Sequence, residues 1–498
     1  MNPNVNKKER VDNLAMNRLR TYAPATGVFV LALLVRVVYN LTIARNYVPV
    51  YDAALYNALG RHLVDSGCYC LYGHTPSLSR PPLWPFILAF IYAFVGKEEF
   101  YGRLFYCFLG SGTCTIIYLF SKDLFGSKTA LFSGILAAIY PCLFIYDGWL
   151  YTESLYTFCL TACIYTLYRL QLAYTPHSKR PLGENKWLER VWQALLHHRW
   201  PMLCGLLIGL AALARPNGIF LLGLVVLWAI LVVLAKIQTW KPVLGDTVLI
   251  ACIAVILILP WSYRNYQVSH SFLLVSTGMG EVLGGAYNDA VLDGDHAIPG
   301  TWHLIPGSHN HDTYNYSPQN DAADTARAFT WIRTHLSALP YLLGLHFIHL
   351  WIPYTYSFGL AFEESSGSAM YYIMVSLIDV LATLVISLAL VGLFLTWKQY
   401  KQRLLAVYLL LALVILQNVL FYSDMRFRAP IEPVLVLLAG RALYTVFPVG
   451  WNWLCARAHA QGKPTTGESR GDSRNAGASL AAPEVLSAGT QNGTMQQL

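Results

Sequence analysis

Long apolar runs alternate with short polar stretches from Tyr22 to Phe447, and this alternation sets the first expectation for the chain. The run 22–44 is long enough to cross a bilayer, which takes a helix of about 20 residues. Similar runs fall at 103–120, 129–146, 153–172, 219–235, 243–263, 370–396, 404–422 and 430–447, with a shorter one at 202–213. Two apolar stretches, 83–96 and 336–353, read differently. At about 1.5 Å per residue, a helix over 83–96 reaches only about 21 Å of the roughly 30 Å core. If it crossed, the basic segment 121–128 would lie outside and the acidic segment 145–153 inside, against the positive-inside bias. The same parity, counted against the basic segment 397–403, lays 336–353 along the interface. The expected fold is an all-α polytopic membrane protein of about 10 (10–13) transmembrane helices, with juxtamembrane helices in its first outer loop.

Basic residues give the orientation. Lys7, Lys8, Arg10, Arg18 and Arg20 place the N-terminus in the cytoplasm, and parity returns the C-terminus to the same side. Residues 1–447 then form one transmembrane domain, with a first outer loop at 45–100 and a second, large one at 264–369. The segment 264–337 holds three Lys/Arg against seven Asp/Glu, as an outer loop allows. The tail 448–498 is rich in Gly, Ser, Ala and Gln without a hydrophobic period, the composition of a disordered cytoplasmic tail.

Composition agrees with the pattern: 55% of residues are hydrophobic and 12% charged. The formal charge of +8 sits in loops and calls for no nucleic-acid partner. Ten cysteines are scattered without metal-binding spacing. Cys68 and Cys70, two residues apart, are expected not to bridge one another. The string STGMGEVLGG at 276–285 looks like a dinucleotide-binding turn but follows no strand, so it reads as a loop. His296, His303, His309, His311, His346 and His349 are spaced too irregularly to define a metal site. Arg36 and Asp379 lie inside spans, where a charge costs about 2.5–3.5 kcal/mol and therefore calls for a partner.

The remaining charges gather, on this topology, at the outer membrane boundary. Asp52 and Arg80 come from the first outer loop, and Asp147 and Glu153 from the turn between two spans. Arg215 stands at an outer turn, Arg264 at the end of a span, and Arg426 and Arg428 in the last outer turn. Asp52 opens an amphipathic run in which Leu55, Leu59 and Leu63 recur at helical spacing, and it also fits a helix N-cap. Several guanidiniums with a few carboxylates suit an anionic lipid headgroup, because arginine binds phosphate through a planar fork and keeps its proton. Trp302 and Trp331, in the second outer loop, are candidates for stacking on a sugar. Two classes of function share this surface: an enzyme acting on a lipid-linked substrate, and a transporter or flippase for one. Transporters place polar residues and broken helices near the midplane, often in inverted repeats. No repeat is present here, which favours the enzyme.

An ordered set of short motifs resembles family 39 of the GT-C membrane glycosyltransferases, the group of bacterial aminoarabinose transferases and protein O-mannosyltransferases. The set runs Tyr51-Asp52 with Tyr56, Arg80-Pro81-Pro82, Tyr140-Pro141, Thr152-Glu153 and Ala214-Arg215-Pro216. It continues with Pro260-Trp261, Arg264-Asn265-Tyr266, Ser276-Thr277-Gly278 and Arg426-Phe427-Arg428-Ala429-Pro430. The resemblance implies a GT-C fold and inverting transfer of a sugar from a polyprenyl-phosphate donor, such as undecaprenyl phosphate. The acceptor would be an envelope lipid, glycan or protein, met at the extracytoplasmic face of the cytoplasmic (inner) membrane. It implies Asp52 as the catalytic carboxylate and Glu153 as a second acid orienting acceptor or sugar. Arg80, Arg215, Arg264, Arg426 and Arg428 would bind the donor phosphate, with Tyr56 and Asp147 near the substrate. Many relatives carry paired acids in the first loop, whereas Ala53 follows Asp52 here. That leaves a divalent cation without its usual cluster of oxygens, so no cofactor is firmly implied. Aminoarabinose transferases carry a Glu before the phosphate-binding residue; Ser79 stands there, which points away from aminoarabinose as the sugar.

Overall fold

The apolar runs fold as helices because, in hydrocarbon, only a helix satisfies every backbone donor and acceptor within its own segment. The computed structural model describes residues 3–71, 73, 75–174, 187–293, 298–303, 316–356 and 359–461. The tail beyond 461, most of the basic loop before Trp187 and the side chains of the N-terminal basic cluster lie outside the described residues, as do His296, His309 and His311.

In chain order the helices are α1 (Pro3–Leu41), α2 (Tyr51–Ser66), α3 (Leu83–Val95), α4 (Glu99–Phe125), α5 (Ser127–Ile139), α6 (Pro141–Phe144) and α7 (Glu153–Ala173). They continue with α8 (Trp187–Ala214), α9 (Phe220–Leu234), α10 (Trp240–Ser269), α11 (Met279–Ala286), α12 (Ala290–Asp293) and α13 (Pro318–Thr334). The last are α14 (Leu339–Trp351), α15 (Ala369–Tyr400), α16 (Leu405–Leu420), α17 (Met425–Arg428) and α18 (Glu432–Gln461). Among the described residues the one sheet-like pairing is an isolated bridge between Cys70 and Pro76.

Six helical stretches are long and apolar enough to span, or seven if the bent pair Ser127–Ile139 and Pro141–Gly148 is one span. This is fewer than the expected ten, and the difference has a physical reason. Helix α7, expected to span, lies at the centre of the bundle and buries Glu153, Ser154, Thr157, Thr161 and Thr166. A helix surrounded by protein needs no apolar surface of its own. The other two, 198–214 in α8 and Leu405–Leu420, are helical and apolar but short. The stretches expected at the interface form the 13-residue helices α3 and α14. Helix α3 buries Trp84, Leu88 and Tyr92 and turns Phe86, Phe90 and Phe94 outward, one apolar face to protein and one away.

The bend at Tyr140–Pro141 is 68°, where proline breaks the helical hydrogen-bond ladder. It carries Asp147 back beneath α1, where Arg36 Nε meets Asp147 Oδ2 at 2.7 Å. Both side chains are fully enclosed. The rest of the guanidinium donates to the carbonyls of Ala32, Ala138 and Leu143. Gly110 of α4 faces this pair, and a Cβ there would overlap the carboxylate. Arg36 thus has the partner its position calls for, and Asp147 is committed to the bundle interior rather than to a substrate. Cys68 and Cys70, expected not to bridge, are joined in the structure; their Cα atoms are 5.2 Å apart, within the range a disulfide accommodates.

Candidate active site

Five segments, spread from Asp52 to Arg426 along the sequence, meet at one end of the bundle. Helix α2 contributes Asp52 in its first turn, directly after Tyr51, whose φ of 50° is a left-handed conformation rarely adopted by a bulky residue. Such strain costs of order 1–3 kcal/mol and is held by surrounding structure. Helix α2 is clamped by Arg61, which donates to Glu99 Oε1 and to the carbonyl of Lys97 (both 2.6 Å), and by Tyr92, which donates to Asn57. Pro81 and Pro82 end the loop that brings Arg80 across, and Arg80 Nη2 donates to Asp52 Oδ1 at 2.7 Å. Glu153 opens α7, Arg215 follows the end of α8, and Arg426 lies in α17.

Glu153 Oε1 gathers two guanidiniums, Arg215 Nη1 at 3.1 Å and Arg426 Nε at 2.9 Å. Arg426 also reaches to 3.8 Å from Asp52 Oδ2, which closes the ring of charges. Aromatic faces line it: Arg426 lies over Tyr151 and Phe427, and Arg215 over Tyr156 and Phe427. The two carboxylates differ in access. Asp52 keeps 33% of its side-chain surface open, while Glu153 keeps 1%. Asp52 can meet a substrate; Glu153 meets arginines. Burial would raise the Asp52 pKa, but Arg80, Arg426 and Arg215 outweigh it and hold the carboxyl below its ordinary value. Tyr56, one turn along α2, is pushed up to about 12, by burial first and then by the charge of Asp52.

The other expected site residues stand apart. Arg264 is adjacent: Nη1 donates to the carbonyl of Ser77 at 2.7 Å, and its guanidinium covers Trp261 and Tyr69. Tyr69 in turn donates to the carbonyl of Arg80, so Arg264 braces the turn that carries Arg80. Arg428 does not face the site. It is fully buried, bonded to Glu432 at 2.6 Å and to the carbonyls of Leu350, Ile352 and Pro353, which leaves no fork for a phosphate. Arg426 and Arg428 are two residues apart on a helical turn and so point to different sides. Asp147 is likewise withdrawn into its pair with Arg36. Trp302 and Trp331 have their indole N–H groups engaged by the carbonyl of Glu281 and the carboxylate of Asp289. No three of His, Cys, Asp or Glu converge as metal ligands among the described residues.

One charged neighbour was not expected. The stretch 276–285, read as a loop, becomes helical from Met279 as α11. The N–H of Thr277 donates to the carbonyl of Leu78 at 3.0 Å and stitches the segment after α10 to the turn before Arg80. Glu281, in the first turn of α11, comes close enough for its charge to bear on Arg80 and Asp52. In sequence it is one acid in a glycine-rich run, with no motif to mark it.

The architecture matches solved structures. The archaeal oligosaccharyltransferase AglB from Archaeoglobus fulgidus, in complex with an inhibitory peptide and a dolichol-phosphate, aligns over 90% of this chain with TM-score 0.50 and 14% identity. The Archaeoglobus fulgidus oligosaccharyltransferase tethered with an acceptor peptide aligns over 90% of this chain with TM-score 0.51 and 14% identity. The chain has the GT-C membrane glycosyltransferase fold. It spans about half the length of these GT-C enzymes, covering 53% and 52% of them. The GT-C protein ArnT from Cupriavidus metallidurans, bound to undecaprenyl phosphate, aligns over 89% of this chain and 81% of its own, with TM-score 0.39 and 16% identity. The family model for dolichyl-phosphate-mannose-protein mannosyltransferase matches residues 79–177, which include Arg80 and Glu153. A sequence comparison with curated proteins gives no match.

Proposed function

We propose that the protein is an inverting glycosyltransferase that takes a sugar from a polyprenyl-phosphate donor at the extracytoplasmic face of the cytoplasmic membrane. The observation that carries this reading is the meeting of Asp52 and Arg80 with Glu153, Arg215 and Arg426 in one half-open cluster. The dolichol-phosphate bound by the archaeal relative of the same fold supports a lipid phosphate as the donor's carrier.

The chemistry follows from the charges. The acceptor hydroxyl gives its proton to Asp52 as its oxygen bonds to the anomeric carbon. The bond from that carbon to the phosphate oxygen breaks, and its electron pair leaves with the polyprenyl phosphate. A positioned carboxylate contributes about 10²–10⁴-fold to such a step. Arg80, freed from Asp52 by the arriving phosphate, stabilises the charge growing on the leaving group, with Arg426 and Arg215 behind it. Glu153 keeps those two guanidiniums aimed. Asp52 sits one turn from Tyr56 on the same face of α2, which supports that hydroxyl as a contact at the substrate's edge. The acceptor is an envelope lipid, glycan or protein bearing a hydroxyl.

The test is turnover by the purified protein in lipid nanodiscs, offered a panel of undecaprenyl-phosphate sugars and envelope extract. Undecaprenyl phosphate released by the wild type and not by a folded Asp52→Asn variant is the expected result. Equal release from both removes Asp52 from the mechanism. No release with any donor, alongside movement of the lipid across the bilayer, replaces the transferase with a transporter.

A further inference from the structure

Glu281 is held with more rigidity than a loop acid needs. Asp321 Oδ1 of α13 accepts from the N–H groups of Gly278 (3.1 Å) and Gly280 (2.6 Å), which fixes the start of α11. A Cβ at Gly280 would overlap the backbone of Asp321, so the two helices lie in direct contact there. Thr277 bonds Leu78, Arg264 bonds Ser77, and Trp302 donates to the carbonyl of Glu281 at 3.1 Å. These contacts fix the backbone around Glu281. Its carboxylate has no hydrogen bond or ion pair of its own among the described residues, although it is partly buried next to the cluster. Burial raises its pKa, Arg80 pulls it back, and Asp52, Asp321 and Asp324 add to the rise.

We infer that Glu281 contacts the donor sugar, its carboxylate accepting hydrogen bonds from the hydroxyl groups next to the lipid phosphate. The inference rests on the transferase reading above. A carboxylate repels the phosphate itself, so the part of the donor it suits is the hydroxylated group one bond away. Thr277, four residues before Glu281, bonds the carbonyl of Leu78, two residues before Arg80, which puts the start of α11 on the Arg80 side of the site. A carboxylate carried on a backbone that is already fixed loses less freedom on binding a hydroxyl than one on a mobile loop.

The experiment compares wild type, Glu281→Gln and Glu281→Ala in nanodiscs, with bare undecaprenyl phosphate and the undecaprenyl-phosphate sugars as probes. The readouts are dissociation constants by native mass spectrometry and, where turnover occurs, KM and kcat. Loss of a charge-assisted hydrogen bond predicts sugar-bearing donor binding weakened about 10–100-fold. Bare undecaprenyl phosphate is expected to bind as tightly as before, or more tightly. Equal weakening of both lipids overturns the inference and makes Glu281 a structural residue. An unchanged donor constant, or a rise only in the acceptor KM, overturns it as well. The ratio of the two lipid affinities needs no turnover, so failure of the transferase reading is seen separately, as a wild type that releases nothing.

Discussion

Asp52 is held as a carboxylate by the same arginine that the donor phosphate is proposed to claim. Its pKa stands below the ordinary value because of Arg80, Arg426 and Arg215. The ion pair with Arg80 therefore adds stability above the ordinary carboxylate pKa, and that share is lost as pH falls through the lowered value. Arg80→Gln removes the principal charge that lowers it. The acid limb of the pH–rate profile should then move to higher pH, while kcat falls about 10²–10³-fold through loss of charge stabilisation. In detergent-free nanodiscs the pH profile of kcat/KM, which reports the free enzyme, checks the limb, and kcat at the optimum checks the fall; a limb that stays in place shows that Asp52 is not the titrating base. Glu153→Gln acts differently. With Glu153 neutral, Arg215 and Arg426 lose their shared anchor, so donor KM should rise while the position of the acid limb changes little.

At the scale of the helix, the charges that stand apart from the cluster explain the packing around it. Arg36 and Asp147 pin α1 to the bend after α5, and Arg428 ties the end of α14 to α17 and α18. Removing one member of a buried pair leaves the other uncompensated and costs about 3–5 kcal/mol. Asp147→Leu should lower the thermal midpoint of the solubilised protein sharply. The double variant Arg36→Leu/Asp147→Leu should recover part of the loss, as a double-mutant cycle on thermal unfolding measures. Asp52, Arg80, Glu153 and Arg215, which the fold brings together, stood out in the sequence because each stands beside a proline or at the first turn of a helix, where a side chain is aimed at an end of the bundle. It did not separate Arg426 from Arg428 or Asp147 from Glu153. Within each pair both residues lie near the same turn, and only the rotation of the backbone decides which one faces the site. Glu281 was hidden for another reason: its place depends on Thr277 meeting Leu78, some 199 residues away in the chain.

On the scale of the molecule, the helices themselves were legible and the number that span was not. Hydropathy measures exposure to lipid, and α7 meets protein on nearly every side, so its length is that of a span while its composition is that of a core. The two ends of the bundle remain chemically distinct. The cluster occupies one end, and Asp123, Arg169 and Tyr165 form a separate polar group near the opposite end of α4 and α7. Single cysteines at Ser66 and Ser127 are therefore expected to react with a membrane-impermeant maleimide from opposite sides of sealed vesicles. Labelling of both from one side would invert the assignment of one loop.

The pair Arg36–Asp147 also has a history in time. The two residues are 111 positions apart, so the arginine leaves the ribosome long before its partner exists. At about 5–20 residues per second the delay is roughly 6–22 seconds. During that interval the first helix carries a lone guanidinium whose insertion costs about 2.5–3.5 kcal/mol. It is a provisional guest of the insertion machinery until α5 and the bend after it arrive. Nascent chains arrested before Asp147 should hold their first helix in the bilayer less firmly than chains arrested after it.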